Sequence, residues 1–167
     1  MSELSAMLSD KAGQAAPPDI DVTIEAGGWP DAVAMERLAA RAVAAAARAA
    51  AQSLAGREVS VVFTDDAAMR RLNARWRGRD RPTNVLSFPQ AGGPLLGDIV
   101  LGYDTVAGEA AVAGRPLEHH IAHLLVHGCL HLLGYDHDED AEAERMEDLE
   151  RAALSTIGVP DPYVPPD

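Results

Sequence analysis

The apolar and polar positions of the chain follow two periods, which divide it into short strands and longer helices. Alternation of apolar with polar residues predicts a first strand over residues 19–25. A run rich in β-branched residues predicts a second strand over 58–64. Two further short strands are predicted over 84–88 and 97–103, each bounded by turn-forming residues.

Helical periodicity covers most of the remaining chain. The helix predicted over 116–133 has no formally charged residue between Glu118 and Asp136, which indicates a buried central helix. The sequence therefore predicts an α+β fold: a single domain in which a small mixed sheet of about four strands packs against about five helices. The predicted helices are 31–54, 65–76, 104–113, 116–133 and 139–157, the last with a packing edge of Met146, Leu149, Ala153 and Ile157.

The length of 167 residues suits one domain with a sizeable core. We expect a flexible N-terminal tail over 1–18, a single domain over 19–158 and a proline-rich, extended C-terminal tail over 159–167. A lone cysteine excludes an internal disulfide framework and is consistent with the cytoplasm. The chain shows neither a signal-peptide pattern nor an apolar run long enough for a membrane span.

All six histidines lie within the 19 residues from 119 to 137. His127 and His131 are four apart and share one helix face, while Gly134 permits the left-handed turn that can bring His137 back to them. Three imidazoles can bind one zinc ion and leave a fourth position for water, as in catalytic zinc sites. The alternative is a chance grouping of core or surface histidines.

The neighbouring polar residues are not needed as ligands. His119, His120 and His123 share the histidine stripe, so we interpret them as support for the ligands or as packing residues. Cys129 is rotated by about 200° from His127 along the helix. It is interpreted as a small apolar filler.

The formal net charge of −12 opposes phosphate binding over the chain as a whole, but the charge is unevenly distributed. Residues 70–81 hold six of the 14 basic residues, whereas 136–150 hold nine of the 26 acidic ones. This predicts one local basic patch suited to phosphates; the alternative is a solvated face whose arginines pair with nearby acids. The six are Arg70, Arg71, Arg75, Arg77, Arg79 and Arg81.

The spacing of the three candidate ligands, with glycine at 134, also matches metalloproteases of the H-E-x-x-H-x-x-G-x-x-H type. Those enzymes carry their general base directly after the first histidine, where this chain has Gly128. The string H-G-C-L-H-L-L-G-Y-D-H, residues 127–137, instead resembles the YbeY family of bacterial metal-dependent endoribonucleases. A second stretch, residues 73–88, is similar to the other signature of that family, with Trp76 and Asn84 in place of the more usual tyrosine and aspartate.

The resemblance covers roughly residues 19–157 and implies a zinc-dependent, single-strand-specific endoribonuclease of the cytoplasm. It would act in ribosomal RNA processing, including 3′-end maturation of the small-subunit RNA, and in ribosome quality control, with the ribosome as a partner. The resemblance also implies a catalytic role for Arg77, which follows the aromatic residue of the signature. Trp76 is expected to anchor this segment in the core.

Several alternatives remain open at this point. Arg77 could instead have a purely structural role, in which it pairs with Asp80 and holds the loop. The protein could hydrolyse a peptide or amide bond, although Gly128 opposes the protease mechanism. It could also be a ribosome-assembly factor with a structural zinc, which a fourth protein ligand would favour. The sequence does not name the general base, nor decide between attack by water and by the ribose 2′-hydroxyl.

Overall fold

The computed structural model describes residues 17–166, so most of the tail predicted over 1–18 lies outside the described residues. In this part of the chain four strands form one sheet in the order β1-β2-β4-β3. β1, β2 and β4 are parallel, and β3, antiparallel to β4, forms the edge of the sheet opposite β1. The four predicted strands are confirmed, whereas their order had no local signal. They are β1 (Asp19–Ile24), β2 (Glu58–Thr64), β3 (Val85–Pro89) and β4 (Leu95–Gly102).

Within residues 17–166 five helices accompany the sheet, which confirms the predicted α+β architecture. The first is shorter than predicted: it ends at Ala49, because Ala51 takes a left-handed conformation (φ 54°) and Gln52 N–H bonds back to the Ala47 carbonyl. The prediction that it runs to residue 54 is therefore wrong. The helices are α1 (Ala32–Ala49), α2 (Asp66–Arg77), α3 (Tyr103–Ala113), α4 (Leu117–Leu132) and α5 (Asp140–Thr156).

Each face of the sheet carries a core, because successive strand residues point to opposite sides. The two cores differ in size. Val61 and Ile99 belong to the main core with α1, α4 and α5, whereas Val62 and Val100 belong to a small second core with Met69 of α2. Helix α4 buries nine of its residues, which confirms the predicted buried central helix.

The four residues predicted as the packing edge of α5 all pack against the main core, and the buried stripe includes two further residues that the prediction left out. Met146 and Ala153 are buried as expected, but Glu150 and Leu154 are buried too, whereas Leu149 is only partly buried. The buried stripe is therefore rotated towards a carboxylate that the apolar pattern left out.

The C-terminal segment lies against the domain. Val159 is nearly buried, and the Arg115 guanidinium donates hydrogen bonds to the carbonyl oxygens of Asp161 (3.3 Å) and Val164 (2.8 Å). The domain boundary at residue 158 stays a prediction. No helix within residues 17–166 is long and apolar enough to cross a membrane.

Helix α4 packs closely against the sheet at the buried Gly128. A Cβ there would stand 2.9 Å from Ile99 Cγ2 and 3.0 Å from Ser87 Oγ, and the Ser87 hydroxyl donates to the Gly128 carbonyl (3.3 Å). The glutamate that metalloproteases carry at this place would have no room in this packing.

We predict that Gly128→Ala lowers the free energy of unfolding by about 1–3 kcal/mol, because the added methyl overpacks this contact. Gly108→Ala is the matched control, since Gly108 is exposed in α3 and nothing lies within 4 Å of the place that an added methyl would take. The control should leave stability unchanged or raise it by up to about 1 kcal/mol. Urea unfolding of both variants checks this, and equal midpoints would contradict the close packing at Gly128.

Candidate metal centre

Three imidazoles converge where α4 ends. His127 and His131 lie one turn apart on α4, which closes in a Schellman motif: Tyr135 N–H bonds to the Leu130 carbonyl (3.0 Å) and Gly134 N–H to the His131 carbonyl (3.0 Å). Gly134 has φ 101°, a conformation that favours glycine. The chain then turns back, and one ligand atom from each of His127, His131 and His137 lies within 4.8 Å of the others.

Hydrogen bonds fix the orientation of two of these rings. The Nδ1 of His131 is 2.9 Å from the Tyr135 carbonyl oxygen, and the Nδ1 of His127 is 3.3 Å from Glu150 Oε1. Both partners are acceptors, so each Nδ1 carries the proton and each Nε2 presents its lone pair. The two Nε2 atoms face each other at 3.0 Å, an unfavourable approach unless a cation or a proton lies between them.

This donor set fits a metal ion. Tetrahedral zinc with Zn–N bonds of about 2.0–2.1 Å separates two nitrogens by roughly 3.3 Å, close to the Nε2 separation observed. Burial, followed by the repulsion that a protonated His127 would exert, lowers the pKa of His131, which favours the neutral imidazole that coordinates. Within residues 17–166 no further histidine, cysteine or carboxylate joins this group of three. The site can therefore hold a metal ion with a position open to a small ligand.

Glu150 is the residue at this site that the sequence interpretation missed. Its side chain is 1% exposed and accepts hydrogen bonds from His123 (2.7 Å), His127 (3.3 Å) and the Tyr163 hydroxyl (3.0 Å to each oxygen). Burial alone would raise the pKa of Glu150, but the two histidines outweigh it and lower the pKa to about 2. Its place four residues after Met146 and three before Ala153, within a buried helix stripe, was the signal that could have found it.

The remaining predicted residues fall into supporting places. His123 shares the Glu150 carboxylate with His127, as expected of a residue that supports the ligands. His120 contacts Glu109 (3.0 Å) away from this group. Cys129 is fully buried and burial raises its pKa to about 12, in keeping with an apolar filler.

Asp136 precedes the third histidine and shapes the turn. Its carboxylate accepts a hydrogen bond from the His137 backbone N–H (2.7 Å), which holds the pKa of Asp136 below its usual value. The same oxygen is 3.7 Å from His137 Nδ1. Asp136 therefore orients the segment that carries His137.

Arg77 ends α2 and reaches the free edge of the sheet. Its guanidinium donates a hydrogen bond to the Ser87 carbonyl (2.8 Å) and lies 5.4 Å from the centre of the Phe88 ring. The alternative pairing with Asp80 is wrong, because Asp80 accepts two hydrogen bonds from Arg70 (2.8 and 3.1 Å).

The segment around Arg77 is held without Trp76. The side-chain amide of the buried Asn73 donates to the Arg81 carbonyl (2.8 Å), and Gly78 (φ 70°) caps α2. Trp76 itself is 56% exposed, so the prediction that it anchors the segment in the core is wrong. The Trp76 and Phe88 rings pack against each other in an edge-to-face arrangement at the surface, with 6.3 Å between the ring centres.

Three imidazoles at the end of a buried helix, with one ring oriented by a buried carboxylate, define a class of protein: an α+β domain with a group of histidines that could hold a metal ion. The particular family follows from comparison with known proteins. The family model described as Endoribonuclease YbeY matches residues 29–158, and the chain belongs to this family.

Curated relatives extend over most of the chain. A Rhodopseudomonas palustris protein named Endoribonuclease YbeY is 49% identical over 158 residues, which cover 90% of this chain and 83% of the relative. A Nitrobacter winogradskyi protein of the same name is 44% identical over 164 residues, covering 92% and 86%. A solved structure, the solution structure of a Thermotoga maritima protein, matches with a TM-score of 0.55 and 25% identity over 83% of this chain and 91% of that one.

We predict that Glu150→Gln weakens metal binding about 10- to 100-fold, because an amide orients the His127 ring less firmly and adds no negative charge behind it. Glu144→Gln, an exposed change on the same helix, should bind metal like the wild type. Competition with a chromophoric zinc chelator measures both affinities. Equal affinity in the two variants would show that Glu150 does not support the site.

Proposed function

We propose that this protein is a zinc-dependent endoribonuclease that cleaves single-stranded RNA and acts in ribosomal RNA processing and ribosome quality control. Small-subunit RNA, at its 3′ end, is the proposed substrate, with ribosomal components as partners and the cytoplasm as the location. Membership of the YbeY family and the names of the relatives support the activity. The observation that carries the proposal is the close approach of two imidazole nitrogens: Nε2 of His127 and Nε2 of His131 face each other at 3.0 Å.

We propose His127, His131 and His137 as the ligands of one zinc ion. Zn²⁺ held by three histidines lowers the pKa of water to about 7 and so supplies a nucleophile at neutral pH. The chain's own contribution is to hold the rings: Glu150 and the Tyr135 carbonyl keep the protons on Nδ1 of His127 and His131.

We propose Arg77 as the residue that binds the reacting phosphodiester. Its guanidinium is exposed and donates to a single backbone carbonyl, so it keeps further N–H groups for phosphate oxygens. Hydrolysis develops negative charge on those oxygens, and a planar, permanently charged donor stabilises it. The Ser87 carbonyl accepts the Arg77 hydrogen bond and the Ser87 hydroxyl donates to the carbonyl of Gly128, so Arg77 and the turn of helix that carries His127 contact the same residue of β3.

The basic patch supports an RNA substrate despite the net charge of −12. Arg70 is paired with Asp80, but no carboxylate within residues 17–166 lies at ion-pair distance from Arg75 or Arg77. We propose that these two guanidinium groups bind phosphates along the RNA strand.

Two observations weigh against the rival functions. A structural zinc is normally closed by a fourth protein ligand, and within the described residues no fourth group lies within 4.8 Å of the ligand atoms of all three histidines; Asp136 and Asp138 group with His137 alone. A protease of the H-E-x-x-H mechanism needs a glutamate where Gly128 packs against Ile99.

We predict that the zinc-loaded protein cleaves a single-stranded RNA and leaves the same sequence intact as a duplex. His131→Ala should lose stoichiometric zinc and cleavage together, because two histidines retain the ion poorly. Gel analysis of end-labelled RNA and elemental analysis measure the two effects. Full zinc content in His131→Ala, or equal cleavage of duplex, would contradict the proposal.

We predict that Arg77→Ala lowers the rate of cleavage about a hundredfold while zinc content and thermal stability stay near wild type, since one preorganised donor contributes on the order of 3 kcal/mol. Arg71→Ala, an exposed arginine on the same helix, is the control and should change the rate only slightly. Single-turnover kinetics with zinc analysis separates the two. A loss of stability in parallel with activity would indicate that Arg77 only holds the strand edge.

A further inference from the structure

An apolar groove opens on the face of the sheet opposite α4, beside edge strand β3. Its volume is about 530 Å³. Val62, Leu72 and Val100 form its floor, and the aromatic rings of Trp76 and Phe88 stand at its side. Trp76 is 56% exposed, although an indole of this size is normally covered in a monomeric protein. The groove therefore combines an apolar floor with an aromatic surface that the domain itself leaves open.

Positive charge stands directly beside these rings. The Arg75 guanidinium lies 4.9 Å from the centre of the Trp76 ring, and the Arg77 guanidinium 5.4 Å from that of Phe88. Cations over aromatic faces, next to an apolar floor, match a nucleotide, which has a flat base and a charged phosphate. Asp98 and Gln90 also line the groove and can pair with the polar edge of a base.

The groove adjoins the proposed reaction site through one strand. Phe88 lines it, and the preceding residue, Ser87, accepts the Arg77 hydrogen bond on its carbonyl and donates a hydrogen bond from its hydroxyl to the carbonyl of Gly128 beside His127. A strand of RNA whose phosphate meets Arg77 would therefore have a neighbouring base at the mouth of the groove.

We propose that this groove binds one unpaired nucleobase of the RNA by stacking on Trp76, with the tilted Phe88 ring against the side of the base. The inference rests on the proposed function and adds a physical reason for single-strand specificity: a base in a duplex is stacked and paired, so it cannot enter. The flanking phosphates bind Arg75 and Arg77, and this charge complementarity favours RNA over an apolar protein segment as the occupant.

Tryptophan fluorescence tests the stacking directly, because the chain has only two tryptophans. Trp29→Phe leaves Trp76 as the sole reporter. Phenylalanine is chosen because Trp29 packs against Phe63 and Tyr103, so an aromatic ring keeps these contacts and only the hydrogen bond from the indole N–H to the Thr64 carbonyl is lost. Stopped-flow mixing of this full-length, zinc-loaded variant with a single-stranded RNA should quench the fluorescence before cleavage. An oligomer of the same length with abasic riboses should bind without that quenching.

Anisotropy of a labelled RNA gives the matching affinities. Trp76→Ala should raise Kd by about fivefold to about a hundredfold, the range expected for one lost base stack, and Trp76→Phe should restore most of the affinity. Val33→Ala, which removes an apolar side chain of similar exposure (52%) on α1, should leave Kd unchanged. If RNA binds without quenching Trp76 and Trp76→Ala leaves Kd unchanged, the proposal that the groove binds a base is overturned, while the proposed function stands. A protein that binds no single-stranded RNA overturns the proposed function as well.

Discussion

A carboxylate with almost no access to water must be neutralised by its neighbours, and Glu150 is the group on which this part of the molecule depends. Its partners come from separate segments: His123 and His127 from α4, and Tyr163 from the C-terminal segment. The same contacts that make the buried charge tolerable hold the His127 ring with its Nε2 facing His131. Stability and the geometry of the candidate metal centre therefore have one origin, and a bound cation would add to the neutralisation.

The close approach at Gly128 joins the two parts of the candidate site. Because α4 lies so near the sheet there, Ser87 of the edge strand touches the turn of helix that carries His127. Arg77 holds the outer side of the same strand. A side chain at position 128 would separate the helix from the strand, so the glycine that stands in place of the metalloprotease glutamate also keeps the strand that Arg77 contacts against the turn of helix that carries His127.

The positions of the charged residues matter more here than the net charge, because acidic and basic side chains lie in different parts of the molecule. The acidic helix α5 lies beside the histidines, where negative potential favours a metal cation, while the arginines at the end of α2 line the strand edge. Arg70 is occupied by Asp80, which leaves Arg75 and Arg77 beside the aromatic rings. An acidic protein can thus offer phosphates one defined approach, and that approach leads past the groove formed with Trp76 and Phe88.

The sequence by itself determined what depends on neighbours a few residues away: the four strands, the five helices, the buried character of α4, and the spacing of His127, His131 and His137 around Gly134. Periodicity, caps and turns act over such short distances, so they can be interpreted from one chain. Strand order, the burial of Glu150 and the exposure of Trp76 were decided only by the tertiary structure. Each depends on which distant segments meet, and a glutamate on a helix or a tryptophan near a loop has the same local pattern whether it faces the core or water.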